Sequence, residues 1–102
     1  MDPERISDFI ISDVVMSTAG RDQGKLFYVI GTDPVYLLLA NGKDRTLDKP
    51  KLKKCKHVQK VLRSETRVAQ KLISGDKVLN SELRRDLAYF SREMQGNDLG
   101  GF

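Results

Sequence analysis

Apolar positions alternate in the first half of the chain and recur at helical spacing in the second, with the change of period falling near Ser64. Phe9 to Ser17 is rich in β-branched residues, and Asp13-Val14-Val15-Met16 lays alternate side chains on opposite faces of a first strand. Lys25 to Ile30 (KLFYVI) predicts a second strand, and the turn formers Gly31-Thr32-Asp33-Pro34 separate it from a third, Val35 to Ala40 (VYLLLA). Asn41-Gly42 is a strong hairpin signal. A short fourth strand is expected over Arg45 to Leu47, and a fifth over His57 to Leu62 after the Lys49-Pro50 break. Five short strands with tight turns over about fifty residues suggest a mainly β domain built as a small closed or nearly closed barrel. Phe27 and Tyr36 are expected inside it, and alternation lets at most one of Phe27 and Tyr28 face outward.

Beyond Ser64 the spacing predicts two helices. Val68 and Leu72 are four apart, and Gly75 supplies a stop. Asn80 or Ser81 is placed to cap a second helix, whose Leu83, Leu87, Phe90 and Met94 share one face. That face reads as a packing surface against the barrel or the first helix, and Gly96 is placed to end the helix. The chain thus divides into a barrel with a basic segment (1–63), a helical extension (64–95) and a tail expected to fray (96–102).

The net charge of +4 conceals a strong asymmetry. Met1 to Arg45 sums to −2 and Ser64 to Phe102 to zero, whereas Thr46 to Arg63 carries seven cations against one carboxylate. Lys49, Lys51, Lys53, Lys54, Lys56, Lys60 and Arg63 therefore form a concentrated electrostatic footprint for a polyanion. The competing reading is a solvated lysine-rich edge that discourages strand aggregation.

A chain of 102 residues forms one ordinary domain, which disfavours a catalytic cleft between domains. The longest apolar run, Val35 to Ala40, is far too short to span a bilayer, and "MDPERISDF" lacks the pattern of a secretory signal. A cytoplasmic protein without membrane partners is expected. Cys55 stands alone, and with His57 it offers two of the four ligands that a structural zinc site needs, so the pair reads as part of a basic strand or loop. No catalytic constellation, metal or cofactor is expected.

The stretch "STAGRDQGKLFYV" holds Gly20 and Gly24 between two apolar runs. A Walker-type loop requires one more residue between the glycines and a hydroxyl where Leu26 stands, so the nucleotide-hydrolase reading fails. What remains is a strand, a glycine-bracketed loop and a second strand. Gly20 and Gly24 suit positive φ and close backbone approach to a phosphate, with charge from Arg21 and Lys25 and, for Arg21, stacking on an unpaired base. Asp22 would repel phosphate and is expected to bond its own turn.

The paired valines Val14-Val15, the loop Gly20-Arg21-Asp22-Gln23-Gly24-Lys25 and the alternating apolar residues after it resemble the KOW domain, found in large-subunit ribosomal proteins and NusG-type transcription factors. Phe27 stands where many members carry a further glycine. The eukaryotic-type ribosomal branch shares that departure, and "LLLANGKDRTLDKPKLKK" is similar to that branch too. The likeness covers roughly residues 9 to 62. It implies an SH3-like barrel and RNA contact through Thr18 to Lys25, of which Thr18, Gly20, Arg21, Gln23, Gly24 and Lys25 are candidate contacts. Charge adds Arg45, Lys49, Lys51, Lys53, Lys54, Lys56, His57 and Lys60.

These readings converge on a non-catalytic RNA-binding protein, ribosomal or ribosome-associated, with ribosomal RNA as the expected ligand. The alternative is an SH3-like interaction module that docks a ribosomal protein, a transcription factor or an assembly factor through the amphipathic C-terminal half.

Overall fold

The structure is a computed structural model and describes residues 9–97. Five strands form one antiparallel sheet: β1 (Asp13–Ser17), β2 (Leu26–Thr32), β3 (Tyr36–Ala40), β4 (Lys51–Lys54) and β5 (Val58–Arg63), in the order β4-β3-β2-β1-β5. Two helices follow, α1 (Arg67–Ser74) and α2 (Asn80–Asn97). This is the small, mainly β domain with a two-helix extension that the periodicity suggests. Among the described residues no ladder joins β4 to β5; a single 3₁₀ turn, Cys55–His57, makes the corner between them. Register shifts between Val14 and Val15 and between Val29 and Gly31 bend the sheet as β-bulges do.

Strict alternation places apolar residues on both faces. Val15, Phe27, Val29, Leu37, Leu39 and Val58 cluster on one face. Val14, Tyr28 and Ala40 point the other way and meet Val68 and Ala69 of α1 and Leu83, Leu87 and Phe90 of α2. Phe27 and Tyr28 are consequently both buried, on opposite faces, while Tyr36 is half-buried. The helical stripe read from the sequence packs on the sheet through its first three residues, and Met94 stays exposed.

Tyr28 also carries a polar link through the apolar layer. Its hydroxyl donates to Asp86 Oδ2 at 2.7 Å and lies 2.8 Å from Ser64 Oγ, and Thr66 Oγ1 donates to the same carboxylate at 2.6 Å. Burial first, then the bond to Asp86, push the Tyr28 phenol up to about 12. Thr66 in turn caps α1 by accepting from the Ala69 amide, and Gly75 ends that helix with φ 79°.

Three expected boundaries differ. Arg45 to Leu47 is not a strand: Asn41-Gly42 opens a loop, 41–50, in which Asn41 Oδ1 accepts from the amides of Lys43 and Arg45. A side chain that satisfies two amides locally competes with a tight hairpin. The fourth strand is instead the lysine-rich Lys51–Lys54, paired along its length with β3. At the start of α2, Asn80 does not cap; its Oδ1 accepts from the Leu47 amide, and Glu82 reaches back to the Leu79 amide in the manner of a capping box. Finally, α2 continues through Gly96 to Asn97, so the expected tail begins later; its remainder, 98–102, lies outside the described residues.

Candidate nucleic-acid interface

Loop 18–25 joins β1 to β2 and is folded by its glycines. Gly20 and Gly24 adopt φ 85° and 90°, a region closed to most side chains. The Gly24 amide donates to Ser17 O at 2.8 Å and Gln23 to Gly20 O at 3.2 Å, so the bend is internally bonded and the Gly24 amide points back to β1 rather than outward. Thr18 donates to His57 O, which ties the loop to the 3₁₀ turn.

Asp22 does not cap its own turn as expected. Its Oδ1 accepts from Ser17 Oγ at 2.7 Å and from Lys53 Nζ at 2.9 Å, while Oδ2 faces Lys51 Nζ at 3.6 Å. Lys53 donates to Ala19 O as well, at 2.7 Å. Burial alone would push the Asp22 carboxyl up. The Ser17 hydroxyl, then the Lys53 ammonium and the charge of Lys51, outweigh it and hold the group down at about 2. Asp22 therefore anchors the loop to β4 as a carboxylate down to about pH 2.

Strand alternation explains which lysines reach this anchor. Lys51 and Lys53, paired with Leu39 and Leu37, project to the face of the Phe27 cluster; Leu52 and Lys54 project away. Lys51 and Lys53 join Gly20, Arg21, Asp22, Lys25 and Arg45 around a cleft of ≈ 220 Å³ floored by Phe27. Five cations surround one carboxylate there. Lys25 is also paired with Asp44 of loop 41–50, which couples the two loops.

The other candidates are placed elsewhere. Thr18 and Gln23 are exposed on the loop, and Lys49 is exposed before β4. Lys54 and Lys56 line a separate depression with Pro34, Val35 and Cys55. His57 is half-buried in the 3₁₀ turn, where burial and then the charge of Asp33 push the neighbouring Cys55 thiol up. Lys60 lies on β5, 3.4 Å from the buried carboxylate of Asp13 and 5.5 Å from the centroid of Phe9. Of the seven cations of the basic segment, Lys51 and Lys53 thus converge on the loop and the other five do not line the cleft.

Beside the cleft, and sharing Lys25 with it, runs a larger groove of ≈ 520 Å³ between the two loops and α2. Lys43 and Arg84 stand on it, neither of which the charge run singles out. Lys43 lies before that run, and Arg84 enters only because α2 folds back and donates Nη1 to Gly42 O at 2.6 Å. Among the described residues, no group of three or more His, Cys, Asp or Glu side chains is arranged to hold a metal ion. Among them, too, no helix is long and apolar enough to cross a membrane. Compared with known proteins, the chain matches no family model and no curated protein.

Proposed function

We propose that the protein is a non-catalytic RNA-binding protein of the cytoplasm, ribosomal or ribosome-associated, that grips the sugar-phosphate backbone of ribosomal RNA in the cleft between loop 18–25 and β4. The observation that carries this reading is the convergence of Arg21, Lys25, Arg45, Lys51 and Lys53 on one concavity although they come from three separate segments. The resemblance of Val14-Val15, the loop Gly20 to Lys25 and the alternating apolar residues after it to the KOW motif supports the same ligand. Lys53 serves as the structural tether, since it is buried and bonded twice; Arg21, Lys25, Arg45 and Lys51 are the phosphate contacts. Shape and charge dominate over base reading, because the A-form major groove is too narrow for side chains.

The rival reading of a protein-docking module draws on the amphipathic helical half, and Leu83, Leu87 and Phe90 of that face lie against the sheet.

The test is a salt titration of affinity for duplex RNA. Four phosphate contacts at roughly 0.7 to 0.9 each give a slope of log K against log salt of about −3. An affinity that does not change with salt overturns the proposal.

A further inference from the structure

The groove next to the cleft has a different chemistry from the cleft itself. Its floor is apolar, built from half-buried Leu26, buried Leu87 and the small exposed Ala88 of α2. Its rim is cationic, with Lys25, Lys43 and Arg84, and the carboxylate there, Asp44, is already engaged by Lys25. At ≈ 520 Å³ it falls within the size range of small-molecule sites. Lys25 lines both concavities, so a strand whose phosphate sits at Lys25 in the cleft has its next unit beside the groove.

We infer that this groove receives one unpaired nucleotide of the bound RNA, its base against Leu26, Leu87 and Ala88 and its phosphate against Lys25 and Lys43. This rests on the RNA-binding reading and deepens it. An unpaired base presents two apolar faces and a polar edge, which suits an apolar floor under a basic rim; a base inside an A-form duplex is stacked away from such a floor. Ala88 is the key position. A larger side chain there would fill the concavity, and the helix contributes it only because α2 is docked on the sheet. The helical extension is then part of the ligand site, and the protein prefers a junction between duplex and single strand over a plain duplex.

The test compares two RNAs, a blunt duplex and the same duplex with a three-nucleotide overhang, bound to wild type and to Ala88→Phe, with Ala88→Leu as the milder variant if Phe lowers the melting temperature. Wild type is expected to bind the overhang RNA about tenfold more tightly. Ala88→Phe is expected to abolish that preference and leave duplex affinity unchanged. Three results overturn the inference while sparing the RNA reading: no preference in wild type, a preference that survives in the variant, or an equal loss for both RNAs. A polyglutamate peptide that binds wild type but not Ala88→Phe, where the overhang brings no advantage, assigns the groove to acidic peptides and overturns it too. Wild type that binds neither RNA defeats both readings.

Discussion

Loop 18–25 and loop 41–50 flank the same cleft, yet charge pins the first, whereas the second, apart from its exposed Lys25–Asp44 pair, is pinned by close backbone packing. Lys53, Asp22 and Ser17 hold the former through an ion pair and hydrogen bonds with little exposure. The latter is clamped on the start of α2: Arg84 bonds Gly42 O, Asn80 bonds the Leu47 amide, and a Cβ added at Gly42 would sit 2.2 Å from Asn80 O. A charge tether responds to pH, and it competes with any polyanion for the same ammonium groups. A steric clamp does neither. The cleft therefore has one wall that the ligand and the solvent can retune and one that the fold keeps still.

The largest effect expected is on the rigid wall. Gly42→Ala meets both a φ of 77° and a collision with backbone, which has no soft end to move aside. It should destabilise the protein by about 3 kcal/mol, seen as a lower denaturant midpoint that is insensitive to salt. Equal stability of variant and wild type would show that loop 41–50 is not clamped.

Lys53→Gln should cost about 2 kcal/mol, because it leaves the Asp22 carboxylate largely buried beside a weaker donor. The same tether sets an acid limit. Asp22 titrates near 3.8 when unfolded and about 2 when folded, so its contribution is complete above pH 3.8 and is lost as pH falls through about 2. Wild type should lose stability across that window and Lys53→Gln should lose less. Parallel acid denaturation curves would contradict the assignment.

The smallest pair of effects separates the cations of the cleft from those of the basic segment that lie outside it. Arg21→Gln with Arg45→Gln should weaken RNA binding about tenfold at low salt, whereas Lys54→Gln with Lys56→Gln, outside the cleft, should weaken it only about twofold. A filter-binding comparison decides it, and equal losses would point to a diffuse basic surface.

Much of the fold was legible because two periods suffice to read it. Val14, Val15, Phe27 and Tyr28 alternate cleanly across β1 and β2, and Leu83, Leu87 and Phe90 recur on one helical face. The glycine bend was legible as well, since Gly20 and Gly24 sit at spacings that need positive φ. β4 is hard to read because its strand pattern is written in lysines and inverted: Lys53 turns inward while its one apolar residue, Leu52, is exposed. Asn41, Asn80 and Asp22 depart from the sequence expectation for a common reason. Each is a short polar side chain with a plausible local partner, and in two of the three the partner taken lies far along the chain: Leu47 for Asn80, and Lys53 for Asp22. Of the cleft, the residue types were readable but their assembly was not, since Arg45 reaches it only through a loop whose conformation depends on a helix near the other end of the chain.

The phenol of Tyr28 spans the seam between sheet and helices, joined to the linker at Ser64 and to α2 at Asp86. Neither layer is therefore a detachable module. Truncation before Arg67 would leave Val14, Tyr28 and Ala40 facing water with a hydroxyl that has lost its carboxylate, and the whole chain should melt as one cooperative unit. A shortened fragment that fails to bind would consequently report collapse of the scaffold, and point substitutions in the intact chain are the sounder probe.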